Sequence, residues 1–246
     1  QKSGVEVRGK KALVFGSGGA SVTVQYVLKS LGAEPVVVIS RSGENNYENL
    51  EKHRDAKILV NATPVGMYPG NGESPVDLSV FDAVDGVLDA VYNPARTALM
   101  LQAEALGIRH ASGLSMLVAQ AKKACEYFTG NPVSDAEIDR IEKLLSSQME
   151  NIILIGMPGC GKSSVGKALA AALNRPFLDA DEEIVRRAGC SIPEIFAAQA
   201  EAGFRRLESA VLADLGKQSG IVLATGGGCV TRPENYPSLH QNGCIV

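Results

Sequence analysis

The 246 residues exceed the usual domain size of roughly 100–150 residues, so two compact units are the natural expectation. With 45% hydrophobic residues, 21% charged residues and a formal net charge of -3, the composition is that of a soluble globular protein, and it gives no electrostatic reason to expect a nucleic-acid partner. The longest apolar runs, at 36–39 and 151–156, fall far short of the roughly 20 residues that span a bilayer, and neither end resembles a signal peptide.

In chain order, Lys11–Phe15 reads as a strand that ends in glycines, and Val22–Leu31 as the helix after it. Val36–Ile39, Lys57–Val60 and Gly86–Val91 supply further strands with helical stretches between or after them. Such runs are apolar throughout because both faces of a helix-covered parallel sheet are buried. Ser134–Glu137 has the form of a capping box, opening a helix whose Ile138, Ile141, Leu144 and Leu145 share one stripe. The polar segment after it marks a domain boundary, dividing the chain into residues 1–148 and 149–246. Asn151–Ile155 then starts a second cycle of strand, glycine loop and helix, the helix running over Ser164–Leu173. The two glycine loops differ in spacing, so the cycles are not an internal repeat.

Five scattered cysteines, odd in number and without a CxxC pair, point to reduced thiols in a cytoplasm and show no structural-zinc spacing. His53, His110 and His240 lie far apart and suggest solvated or capping roles.

The later loop carries the sharper chemistry. Gly156–Ser163 reads GMPGCGKS and fits GxxxxGK[ST] directly after a strand and before a helix. Glycines there let backbone N–H groups turn around phosphate oxygens, and the new helix offers its positive end to the anion. Lys162 suits the β and γ phosphates, and the Ser163 hydroxyl suits Mg²⁺. Asp179 and Asp181 lie two apart at a strand end, where alternation would point both into the phosphate cleft. Residues 203–208, GFRRLE, and the strand Val222–Ala224 running into Gly226, Gly227 and Gly228 complete the set. Arg205 can pair bidentately with a substrate carboxylate, or form an i,i+3 surface pair with Glu208.

Together GxxGxGKS, DxD, FRxxE and a strand ending in GGG resemble shikimate kinase from residue 151 onward. The resemblance implies ATP held by Gly159, Cys160, Gly161, Lys162, Ser163 and Ser164, metal near Ser163 and Asp179, and shikimate at Asp181, Arg205 and Gly227. Phosphoryl transfer to a ring hydroxyl would then use Asp181 to orient or deprotonate that hydroxyl, and Lys162 to stabilise charge.

In the first loop Gly16, Ser17, Gly18, Gly19, Ala20 and Ser21 give a GxGxxS variant of the dinucleotide fingerprint. After the second strand, where an acid would mark NAD, stand Ser40, Arg41 and Ser42, which suit the 2′-phosphate of NADP. With Asn61-Ala-Thr63-Pro64, Asp89–Pro94 and Gly113–Ala121 the order resembles the NADP-binding domain of shikimate dehydrogenase. That resemblance implies Asn61 and Thr63 along the cofactor, Ala90, Gly113 and Met116 at the nicotinamide end, and Tyr92 and Gln120 reaching shikimate. Met116 can equally be a core side chain.

The expected architecture is thus α/β throughout, a Rossmann-like NADP-binding domain followed by an incomplete P-loop kinase-type domain. The expected chemistry is reduction of 3-dehydroshikimate with NADPH and phosphorylation of shikimate with ATP and Mg²⁺. Both resemblances are partial, so a piece of a longer bifunctional protein is expected, able to bind cofactors but poor in turnover. Non-catalytic sensing of the two nucleotides and a single surviving activity are the other readings, and a homo-oligomer stays open.

Overall fold

The computed structural model describes residues 3–246, which fall into two compact units divided between Lys143 and Leu144. In the first, β1 (Ala12–Phe15), β2 (Val36–Ile39), β3 (Ile58–Asn61), β4 (Gly86–Asp89) and β5 (Arg109–Ala111) form a five-stranded sheet in the order β2-β1-β3-β4-β5. Every pairing is parallel, with Ala12 opposite both Val36 and Ile58. Leu13, Phe15, Ile39 and Leu59 are fully buried, as a sheet covered on both faces requires. The strand order reverses between β1 and β3, the place where open parallel sheets leave a crevice at the carboxyl ends of their strands.

Helix α1 (Gly19–Ser30) starts three residues before the apolar periodicity does, because its opening residues are glycine, alanine and serine. Between β2 and β3 the cover is a 3-10 segment, Tyr47–His53, and between β3 and β4 a 3-10 turn, Leu78–Val80, instead of α-helices. Two helices, α2 (Ala98–Ala105) and α3 (Leu114–Thr129), follow β4 and β5. The next helix, α4 (Ala136–Met149), crosses the division between units. Its expected capping box is not formed: the Ser134 hydroxyl accepts from the Ala136 amide, while the Glu137 amide bonds the Ser134 carbonyl. Its apolar stripe has no buried member, and Leu144 is exposed.

The second unit has β6 (Asn151–Leu154), β7 (Phe177–Asp179), β8 (Val222–Ala224) and β9 (Gly243–Ile245) in the parallel order β7-β8-β6-β9. Helix α5 (Lys162–Leu173) follows β6, α6 (Ala180–Ala188) follows β7, and α7 (Ile192–Leu215) leads to β8. A short helix, α8 (Tyr236–His240), precedes β9. Ile184, Ile195, Leu212 and Leu223 close the core.

One expectation about the histidines is corrected here. His53 is buried, with its Nε2 2.9 Å from Asn45 Oδ1, because the 3-10 segment folds its last turn under the loop after β2. Among the described residues the five cysteines are free, and no helix is long and apolar enough to cross a membrane.

Candidate functional sites

In the first unit a cavity of about 270 Å³ opens at the carboxyl ends of β1, β3 and β4. Its walls include Ala20 from the start of α1, Thr63 from the loop after β3, and Ala90 and Tyr92 from the loop after β4. The amino end of α1 faces this crevice with Gly18 as its cap residue and no side chain capping it. The first N–H groups of a helix lack intrahelical partners, so an uncapped start offers its donors to an anion. Gly18 and Gly19 have open space in front of them, enough for a group to approach the backbone. Gly16 is different: its φ is +104°, and an added Cβ would lie 2.9 Å from Thr63 Cγ2, which fixes the turn against the next loop. Ser21, in the third position of the fingerprint, is fully buried and accepts from Gln25, so a small residue keeps α1 close to the sheet.

Ser40, Arg41 and Ser42 follow β2, the neighbour of β1, and Arg41 and Ser42 are exposed. Arg41 is near enough to Tyr47 to oppose the upward push that burial gives the phenol. Gly113 caps α3 and is buried against Ala90, whose carbonyl oxygen would be 2.0 Å from an added Cβ. Met116 and Gln120 sit one turn apart on the exposed face of α3, and Met116 is 50% exposed. That position removes the core reading of Met116. Neither residue is among the cavity's lining.

The polar centre of this site is Asp89, 3% exposed. Its Oδ1 accepts from Asn61 Nδ2 and from the Val91 amide, both at 2.9 Å, and its Oδ2 accepts from Thr97 Oγ1 at 2.7 Å. Burial raises the carboxyl's pKa above the usual range, and the three donors pull against that.

In the second unit a cavity of about 440 Å³ is lined by Gly159, Gly161, Lys162, Ser163 and Ser164, facing Asp179, Asp181, Thr225 and Gly227. The loop bends through positive φ at Gly156 (+142°), Gly159 (+77°) and Gly161 (+92°), conformations in which only glycine is unstrained. As in α1, the start of α5 has a glycine cap residue and no capping side chain. Lys162 Nζ donates to the carbonyls of Gly156 and Met157, each at 2.9 Å, and lies 3.8 Å from the exposed Cys160 Sγ.

The two aspartates reach this cavity by a route that strand alternation does not describe. Asp179 ends β7 and caps α6, its Oδ1 accepting from the Asp181 amide at 3.0 Å, while Asp181 stands in the first helical turn. The turn of the helix brings the second acid back beside the first. Asp179 Oδ2 accepts from the Ser163 hydroxyl at 2.6 Å. Burial raises the pKa of Asp181, reinforced by the charges of Asp179 and Glu208 and opposed by Lys162 and Arg205.

Arg205 Nη1 donates to Glu208 Oε2 at 2.9 Å, so the i,i+3 pair is real, yet Glu208 is 1% exposed. The pair therefore lies beneath the site and not on a solvated helix face. Glu208 Oε1 has no hydrogen-bond partner, and a Cβ on Gly226 would lie 2.8 Å from it and from Asp181 Oδ1. The closeness of Gly228 to the Arg205 guanidinium, and of Gly227 to Pro158, shows why this strand ends in glycines. The sequence assigns no role to Thr225, Asp89 or Thr97. Thr225 and Asp89 are polar residues at otherwise apolar strand ends, and Thr97 stands where a helix cap would.

Residues 158–246 match the shikimate kinase family. A shikimate kinase from Thioalkalivibrio sulfidiphilus is 54% identical over 100 residues, 41% of this chain and 53% of that protein. The chain spans about half the length of the curated relatives it matches. Solved structures similar to it include a chorismate mutase/shikimate 5-dehydrogenase fusion protein from Clostridium acetobutylicum, with 32% identity, a TM-score of 0.56, and 59% of this chain and 57% of that one covered. Another is the shikimate 5-dehydrogenase of Thermus thermophilus in complex with NADP(H) and shikimate, with 30% identity, a TM-score of 0.50, and 58% and 57% covered. The chain thus carries a match to the shikimate kinase family at its C-terminal region and has shikimate dehydrogenases as structural neighbours over its N-terminal part, a combination consistent with a dehydrogenase–kinase fusion.

Proposed function

We propose that the chain belongs to a bifunctional enzyme that reduces 3-dehydroshikimate to shikimate with NADPH and phosphorylates shikimate to shikimate 3-phosphate with ATP. The observation that carries this reading is the composition of the second cavity. Phosphate-binding lysine, metal-suited hydroxyl and two differently placed carboxylates line one space beside an arginine held on a buried glutamate.

In the kinase unit Lys162 and the first amides of α5 receive the phosphates, and Gly159, Cys160 and Ser164 shape the loop around them. Ser163 and Asp179 form an all-oxygen pair 2.6 Å apart, a donor set suited to a hard cation such as Mg²⁺. Bound there with ATP, Mg²⁺ neutralises charge on the phosphates. Asp181 accepts the proton of the substrate hydroxyl, a task favoured by a carboxyl whose burial raises its basicity. Arg205 pairs with the substrate carboxylate, and Gly227 on the cavity wall offers its backbone to the ring.

In the dehydrogenase unit the open glycines at the start of α1 fit a dinucleotide pyrophosphate, and Arg41 with Ser40 and Ser42 fits the 2′-phosphate of NADP. NADPH supplies the hydride. Asn61, Thr63, Ala90 and Gly113 shape the groove for its far half, Met116 closes one side, and Tyr92 and Gln120 reach toward the substrate. An assignment to the cytoplasm and the domain limits 1–148 and 149–246 belong to the same reading.

Isothermal titration of the chain with NADP⁺, NAD⁺, MgATP and shikimate tests it. NADP⁺ binding tighter than NAD⁺, and MgATP binding that Lys162→Met abolishes, are the expected results. Tighter NAD⁺ binding would refute the role of Arg41, and MgATP binding indifferent to Lys162 would refute the phosphate site.

A further inference from the structure

We infer that Asp89 and Thr97 are positioning residues: together they latch the two loops that face the nicotinamide half of the cofactor and set which way Asn61 and Thr63 present their hydrogen-bonding groups. The inference rests on the NADP reading above and deepens it.

An ionised carboxylate only accepts, so Asn61 must turn its Nδ2 toward Asp89 Oδ1, at 2.9 Å. The same Nδ2 also donates to the Val65 carbonyl at 3.2 Å. The amide oxygen is thereby turned to Thr63, where it accepts from the backbone N–H at 3.0 Å and from the hydroxyl at 2.6 Å. With its proton committed, Thr63 Oγ1 accepts from the Val65 amide at 3.2 Å. The sense of each bond in the loop after β3 thus follows from one buried carboxylate on β4.

Asp89 acts on its own loop too. Its Oδ1 holds the Val91 amide, which orients the Ala90–Val91 peptide ahead of Tyr92. Its Oδ2 holds Thr97 Oγ1, whose oxygen also receives the Met100 amide at 3.3 Å, so the loop's far end is pinned to the start of α2. Thr63, Ala90, Val91 and Tyr92 are all cavity walls, whereas Asp89 and Thr97, 3% and 1% exposed, are not. They act through the walls.

Asp89→Asn keeps the shape but replaces one acceptor oxygen with a donor, which lets the Asn61 amide turn over. The test compares two ligands: NADP⁺, and adenosine 2′,5′-bisphosphate, which has the 2′-phosphate but no nicotinamide. The expected result is a loss of about tenfold in NADP⁺ affinity with unchanged affinity for the bisphosphate. Thr97→Val should act in the same direction and Thr97→Ser should restore wild-type binding, which keeps the test decisive if Asp89→Asn does not fold. A parallel loss for both ligands would make the network merely structural and overturn the inference, as would NADP⁺ affinity that neither variant changes. A wild-type chain that binds neither ligand would sink the NADP reading itself, and the latch with it.

Discussion

Two glycine-to-alanine changes in the first unit separate folding from cofactor binding. At Gly113 the backbone is ordinary, with φ -73° and ψ 0°, so alanine meets no conformational strain. What it meets is the Ala90 carbonyl, 2.0 Å from the new Cβ, with the carbonyl carbon at 2.6 Å. To reach ordinary contact the Ala90 peptide must retreat by roughly 1.4 Å. That movement disrupts the bond from the Ala90 amide to the Asn61 carbonyl, 2.9 Å, and the bond from the Gly113 amide to the Val91 carbonyl, 3.1 Å. Overpacking costs about 1–3 kcal/mol and each of the two bonds about 1 kcal/mol, so Gly113→Ala should destabilise the unit by about 3–5 kcal/mol.

For a unit of this size the drop in melting temperature is about 9–15 °C. Gly18→Ala is the contrast. Nothing lies within 4 Å of its added Cβ and φ is -79°, so it should leave stability unchanged or raise it by about 0.4–1 kcal/mol. Yet its methyl group would stand where the pyrophosphate approaches the backbone, and NADP⁺ affinity should fall at least about tenfold. Calorimetry identifies the unit's transition by its shift on adding NADP⁺, and titration gives the affinities. A Gly113→Ala chain that melts like the wild type would refute the close approach of Ala90. Undiminished NADP⁺ binding by Gly18→Ala would refute the placement of the pyrophosphate.

Arg41→Asp should reverse the preference between NADP⁺ and NAD⁺ with no loss of stability, since Arg41 is exposed; titration with both dinucleotides decides it. Ser163→Ala should remove the dependence of ATP affinity on Mg²⁺, read by titrating with and without the ion; a dependence that survives would refute the hydroxyl's role. Asp181→Asn should raise the melting temperature at pH 7 while weakening shikimate binding. Because the folded carboxyl has the higher pKa, its stabilising contribution is full below about 3.8 and is lost as pH rises through the folded value, so at neutral pH the charge costs stability that asparagine relieves. A variant that melts lower than the wild type at pH 7 would refute this.

The P-loop was legible because its function is written in the backbone: glycines at fixed spacing, then lysine and serine at the helix start. Strands β1 to β4 and β6 to β8 were legible as apolar runs for a related reason, burial on both faces. β5 escaped because it contains Arg109 and His110, and β9 because it opens on Gly243 directly after the polar Gln241 and Asn242. Asp179 and Asp181 were found, but for a reason the structure replaces, since a strand and a helix meet between them. The latch around Asp89 was not legible, because Asn61, Asp89 and Thr97 come together only once β3 and β4 are paired.

The contrast among helix starts explains why the two loops can serve ligands at all. At other helix starts the chain satisfies its own amides: Thr97 accepts from Met100 in α2, Asp179 from the first turn of α6, and Glu194 from the Ser191 amide at α7. α3 is also uncapped, but its start is closed by Ala90 against Gly113. Only at α1 and α5, among these helices, does an uncapped start combine with open space before the glycines. Orphan donors at a helix start cost stability, so an uncapped, open start is what the proposed phosphate and pyrophosphate sites require. On the proposed reading the two units would answer the anion's charge differently. The second unit has Lys162 inside the loop, while in the first Arg41 stands beyond the end of β2, where it would meet the sugar end of a dinucleotide and leave the pyrophosphate to main-chain amides.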